Sequence, residues 1–240
     1  MEFGNSYSST DARVAALADQ SERSAFIQRT YAHLGGAVIA FVVLEAILLS
    51  LFPAERLLPM IGGMLGGWGW LLFLGGFMVV SSIARYWASS STSQGMQYAG
   101  LGLYVVAEAV IFLPLMAYAT RVDPSIPMNA GIITGIVFAG LTAICFITGT
   151  DFSGLGKFLW LAGLLALGAI VASMIMGFSL GIWFAAAMVL LAAGYILYDT
   201  SNVMRHYSTN QHVAASLALF ASLALMLWYV IQILISLQDD

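Results

Sequence analysis

Glu45, Glu108 and Asp199 stand in long apolar runs, where a charge is costly and one that is retained is a functional candidate by default. At 100° per residue, Gln97, Tyr104 and Glu108 fall within about 40° of one another on a helix, a polar stripe on an otherwise apolar element. The stripe has two readings: a protonated acid hydrogen-bonded to a neighbouring helix, or a carboxylate lining an ion or proton path. Pro114, further along the same run, brings a bend. Glu45 lies about two turns from the end of its run, within reach of water by snorkelling. Asp199 closes a run in Tyr195-Ile196-Leu197-Tyr198-Asp199-Thr200, and Arg85 closes another on the same side. Opposite charges at one membrane face invite an ion pair.

Other chemistries find no footing. Two membrane aspartates are needed for an intramembrane aspartyl protease, and the last apolar run contains none. A retinal Schiff base needs a membrane lysine, whereas Lys157, the only lysine, begins a run at the interface. There is no P-loop, Gly-x-Ser-x-Gly elbow or zinc spacing. Cys145 is the only cysteine and sits in an apolar run, which points to core packing. His206 and His212 share a connecting segment, where solvation is expected over ligation. With His33 also near a membrane end, the reading is not an enzyme and has no cofactor.

The elements that position these residues follow from composition. Of 240 residues 61% are hydrophobic and 8% charged, and mean hydropathy is +0.93, far from the roughly 25% charged residues of soluble domains. The expected fold class is an all-α membrane protein with seven transmembrane helices, over residues 30–52, 57–83, 96–119, 129–147, 158–176, 180–198 and 214–237, each long enough to cross. Residues 1–29 form a polar N-terminal segment and 30–240 one transmembrane domain. Asp11 to Arg29 reads equally as an amphipathic surface helix or a solvated lead-in. Gly177-Phe178-Ser179 leaves room only for a tight hairpin. Arg13, Arg23, Arg29, Arg85, Lys157 and Arg205 fall on the N-terminal side of the spans and Arg56 and Arg121 on the other. By the positive-inside rule the N-terminus is then cytoplasmic and the Asp239-Asp240 tail external. With no cleavable signal expected, span one serves as the signal. Short tails suit a prokaryotic cytoplasmic membrane. The net charge of -4 offers no basic patch for nucleic acid. Gly62-x-x-x-Gly66, Gly63-x-x-x-Gly67, Gly131-x-x-x-Gly135 and Gly177-x-x-x-Gly181 are candidates for close helix packing within the bundle.

Three stretches resemble the Bax-inhibitor family: Phe26-Ile27-Gln28-Arg29-Thr30-Tyr31, Thr150-Asp151-Phe152-Ser153-Gly154-Leu155-Gly156-Lys157-Phe158-Leu159 and Gly194-Tyr195-Ile196-Leu197-Tyr198-Asp199-Thr200. The resemblance implies a bundle with span seven at its centre, surrounded by the other six. It also implies a pH-sensitive calcium leak, roles in cell death and stress, and in bacteria modulation of a membrane-bound AAA protease. In that family the aspartate matching Asp199 pairs with a second aspartate on span seven, while an arginine matching Arg85 competes for the first. Here the span-seven pattern falls on Phe220, Ser222 and Leu225. A shared-proton carboxylate pair cannot form with serine, so a weaker pH response is expected. The leading reading is a calcium-permeable leak gated at its cytoplasmic end by Asp199 and Arg85. Ser222 stands in the place of the second acid, Glu108 on the pathway, and calcium is the transported ion. The alternative is a non-conducting regulator that binds a membrane-bound quality-control protease or a cell-death or stress factor.

Overall fold

The computed structural model describes residues 14–62, 68–90 and 93–238. Arg13, the Gly63 and Gly66 repeats and the Asp239-Asp240 tail lie outside the described residues. Among those described there are eight α-helices and no strands: α1 (Gln20–Leu51), α2 (Ala54–Ile61), α3 (Trp68–Ala88), α4 (Gln94–Val122), α5 (Ile126–Thr148), α6 (Gly156–Met176), α7 (Gly181–Arg205) and α8 (His212–Ser236). All but α2 are long and apolar enough to cross a membrane.

Local chemistry sets the boundaries. Ser93 caps α4, its hydroxyl accepting from the Met96 N–H at 3.3 Å. Gly149 ends α5 at φ 60° and Gly177 ends α6 at φ 74°, a left-handed turn that glycine adopts without a Cβ penalty. Gly181 also has a positive φ, so the Gly177/Gly181 spacing builds the α6–α7 hairpin and not a helix-packing face. Two boundaries depart from the sequence reading. The run at 57–83 does not match one helix: α2 ends at Ile61 with Gly62 in a turn, and α3 is described from Trp68. The N-terminal segment is neither a separate surface helix nor a fully solvated lead-in: α1 is continuous from Gln20, and the Ala15 N–H donates to the Tyr207 carbonyl at 2.9 Å.

The centre of the bundle is α8. In the most apolar stretches of α8 and α4, 56% and 50% of residues are buried, against 22% or less in the other spans. Helix α8 packs directly on α1, α3, α4, α5 and α7. It shares with α6 only a side cluster of Ala166, Ala185, Met188 and Tyr229, and α6 lies chiefly along α7. The ring around α8 is therefore looser at α6 than the expected six-helix surround. Trp68, Leu72, Ile136, Phe158, Trp160, Trp183 and Leu190 project outward, a surface that lipid tails accept and water does not.

Glycine brings helices together at places the spaced pairs do not mark. A Cβ on Gly131 or Gly135 would meet open space. On Gly100 it would collide with the backbone of Ala88 and with the Ala84 carbonyl at 2.6 Å, so α3 and α4 touch backbone to backbone there.

Candidate functional site

Between α3, α4, α6, α7 and α8 lies a cavity of about 840 Å³ whose walls include Arg85, Tyr104, Glu108, Asp199 and Ser222. Arg85, Glu108, Asp199 and Ser222, the residues assigned to the pathway from the sequence, thus meet in one space. It reaches lengthwise through the bundle, from Asp199 toward one end to Gln232 and Gly181 toward the other.

Each polar group is held by a particular partner. The Arg85 guanidinium donates to the Tyr104 hydroxyl at 3.1 Å and lies 5.1 Å from the centre of that ring, adding a cation–π contact. Tyr104 and Glu108 are one turn apart on α4, and both are buried, at 3% and 6% exposure. Gln97, the third member of the stripe, is buried too, its Nε2 donating to the Ser90 carbonyl at 2.6 Å across the α3–α4 connection. Asp199 does not pair directly with Arg85: its Oδ2 accepts from the Ser222 hydroxyl. The expected ion pair gives way because Tyr104 engages the guanidinium from one side while serine, standing on α8, satisfies the aspartate from the other. Arg85 and Asp199 still share the cavity wall. Beyond Glu108 the lining turns aromatic and aliphatic, with Phe112 edge-on to Trp228 at 5.0 Å and Trp228 stacked on Trp70 at 6.1 Å.

Residues not singled out in the sequence fix the α7 wall. Tyr195 donates to the Leu159 carbonyl at 2.9 Å. A Cβ on Gly156 would lie 2.8 Å from the Tyr198 ring, and one on Gly163 would lie 2.9 Å from the Tyr195 hydroxyl. The loop before α6 is tied to the end of α7. The Ser201 hydroxyl donates to Asp151 Oδ1 at 3.1 Å and accepts from the Phe152 N–H at 3.0 Å, while Arg205 donates to the Gly149 carbonyl. The Ser153 N–H donates to the same Asp151 oxygen at 2.9 Å. That backbone bond first, then the Ser153 and Ser201 hydroxyls and the Arg205 charge, hold the Asp151 carboxyl down to about 2. This loop is the quoted Thr150–Leu159 stretch, so its residues carried a signal, although not one of mechanism.

The remaining candidates lie elsewhere. Glu45 does not reach water: it is 5% exposed, and neither carboxyl oxygen has a hydrogen-bond partner. His212 is not solvated but begins α8 buried, its ring 4.9 Å from that of His33, whereas His206 is exposed. Cys145 is buried, its thiol facing the Leu197 carbonyl at 3.7 Å. Among the described residues, no three His, Cys, Asp or Glu side chains group as a metal site would require.

Residues 23–239 match the family described as "Inhibitor of apoptosis-promoting Bax1". Bax inhibitor 1 of Schizosaccharomyces pombe is 31% identical over 134 residues, 53% of this chain and 49% of that protein. An uncharacterized protein of Neisseria meningitidis serogroup A is 26% identical over 148 residues, 58% of this chain and 63% of its own. Protein LIFEGUARD 4 of Arabidopsis thaliana is 29% identical over 132 residues, 52% and 51% of the two chains. The chain thus spans about half to three fifths of the length of the curated relatives it matches.

Proposed function

Because this multi-pass membrane protein belongs to the Bax-inhibitor family, we propose that it is a calcium-permeable leak whose pathway is the cavity between α3, α4, α6, α7 and α8. The observation that carries the reading is the meeting of Arg85, Glu108 and Asp199 in one lengthwise cavity. Acidic side chains facing a bundle interior attract cations, and a guanidinium among them acts as a resident counter-ion. Calcium arriving at Asp199 takes over the role of Arg85, which retains Tyr104 as its partner. Glu108 is the next acidic position. The aromatic stretch at Phe112 and Trp228 is the resistive part of the path, since an apolar constriction sheds water. On this reading the N-terminus, Arg85 and Asp199 face the cytoplasm, as the distribution of Arg and Lys favours.

Serine in place of a second acid sets the gate. Two facing carboxylates resist double ionisation and share a proton, which makes a latch that opens or closes as pH changes. A serine hydroxyl holding Asp199 has no proton to share in that range. The leak is therefore only weakly responsive to pH.

Calcium entry into proteoliposomes of the purified full chain tests the reading. Flux above that of protein-free vesicles, reduced several-fold by Glu108→Gln in a protein of unchanged thermal stability, is the expected result. Flux equal to that of empty vesicles would overturn conduction and leave a non-conducting partner of a protease or stress factor as the reading.

A further inference from the structure

A second concavity, of about 510 Å³, lies on a different face of α4 from the site, in the seam between α1 and α4. Its floor is made of small and apolar residues, among them Ala32, Gly36 and Ala40 on α1 and Gly102 and Val106 on α4. Added Cβ atoms on Gly36 and Gly102 would meet nothing within 4 Å, so the groove is open space that the protein itself leaves unfilled. Because α1 and α4 lie alongside with His33 beside Tyr98 and Leu44 toward Val105, they run parallel and begin at the same membrane face.

That shared end is built differently from the rest of the groove. His33 lies at the mouth, its ring stacked on Tyr98 at 5.4 Å and tilted against His212 at 4.9 Å. Its Nδ1 donates to the Arg29 carbonyl at 2.6 Å, leaving Nε2 as its remaining hydrogen-bonding atom. Arg29, one turn before it on α1, is exposed, and the buried His212 Nδ1 has no partner. The amino ends of α4 and α8, the positive ends of their dipoles, lie at this face. The acid nearest in sequence, Glu22, is about two turns away and accepts from Thr209 at 2.6 Å.

An apolar trough with the exposed Arg29 guanidinium and the amino ends of two helices at one end matches an amphiphile with an anionic head. We propose that the α1–α4 groove is a binding site for one anionic phospholipid, its acyl chain along Gly36, Ala40 and Gly102 and its phosphate at Arg29 and the amino end of α4, beside the His33 ring. A transmembrane helix from a partner would fill the trough but leave the charges at its mouth unanswered. The site is separate from the cavity containing Asp199 and does not depend on ion conduction.

The test is mass spectrometry of the detergent-solubilised full chain after incubation with equal amounts of phosphatidylglycerol and phosphatidylcholine. The parent should retain one phosphatidylglycerol in preference to phosphatidylcholine by about fivefold or more, the discrimination expected of about one charge contact at a membrane surface. Arg29→Gln with His33→Gln should bring the two lipids level, and Gly36→Leu or Gly102→Leu should lose both, with thermal stability unchanged. Equal retention by the parent, or a preference that survives Arg29→Gln with His33→Gln, would overturn the proposal. A two-copy species abolished by Gly36→Leu would instead assign the groove to contact between chains.

Discussion

The Ser222 hydroxyl donates to Asp199, so a hydroxyl and a carboxylate meet at this position and not two carboxylates. The position was legible in the sequence as a serine where the resemblance calls for an acid, but its partner was not: spacing placed Arg85 and Asp199 at one face and could not reveal that Tyr104 would engage the arginine. Ser222→Asp restores a carboxylate pair, so flux that is nearly flat between pH 6 and 8 in the parent should become steeply pH-dependent, measured as calcium entry at stepped pH. Asp151 behaves differently because its carboxyl is held down to about 2, from an ordinary 3.8, by Ser153, Ser201 and Arg205. A depressed carboxylate contributes stability that is complete above its unfolded value and disappears as pH falls through its folded one. Asp151→Asn should thus lower the melting temperature at pH 7, and the gap to the parent should close as pH falls from about 4 toward 2. A gap independent of pH would mean that the loop is tied by the backbone and not by the charge. The buried Glu45 and His212 were misjudged for one reason: distance from a helix end says how close water is along the axis, but not which face a neighbouring helix covers.

Glycine carries the corresponding lesson for helices. Pairs four residues apart mark where close approach is permitted, and on α5 that permission is unused, since Gly131 and Gly135 face open space. Close approach occurs instead at the single Gly100 against Ala84 and Ala88, which a search for spaced pairs passes over. Gly100→Ala should force α3 from α4, lowering stability by about 1–3 kcal/mol as overpacking does, with the loss read by thermal melting in detergent. The same shift moves Arg85 relative to Tyr104, so flux should change as well. Gly131→Ala on the open face is the control and should leave both unchanged. Span positions were legible because apolar runs of sufficient length must cross. The end of α2 at Ile61 was not legible, because hydropathy stays high past it and Pro59, the residue that would suggest a break, lies inside the helix.

At the scale of the whole molecule, seven apolar spans follow from composition and the central place of α8 is what the family resemblance implies, whereas the loose seat of α6 follows from neither. The wall of the cavity joins Gly163 and Ala166 of α6 to Tyr195 and Tyr229, residues far apart in sequence, which no local pattern brings together. If ions pass through this cavity, Ala221 on its wall is a point at which they can be blocked. The decisive measurement is calcium flux through proteoliposomes of Ala221→Cys in a Cys145→Ser background, before and after complete reaction with a bulky positively charged thiol reagent. Flux is predicted to fall to the level of protein-free vesicles on modification, and to recover when a reductant removes the adduct. Unchanged flux through fully modified protein would contradict the assignment of the cavity as the pathway.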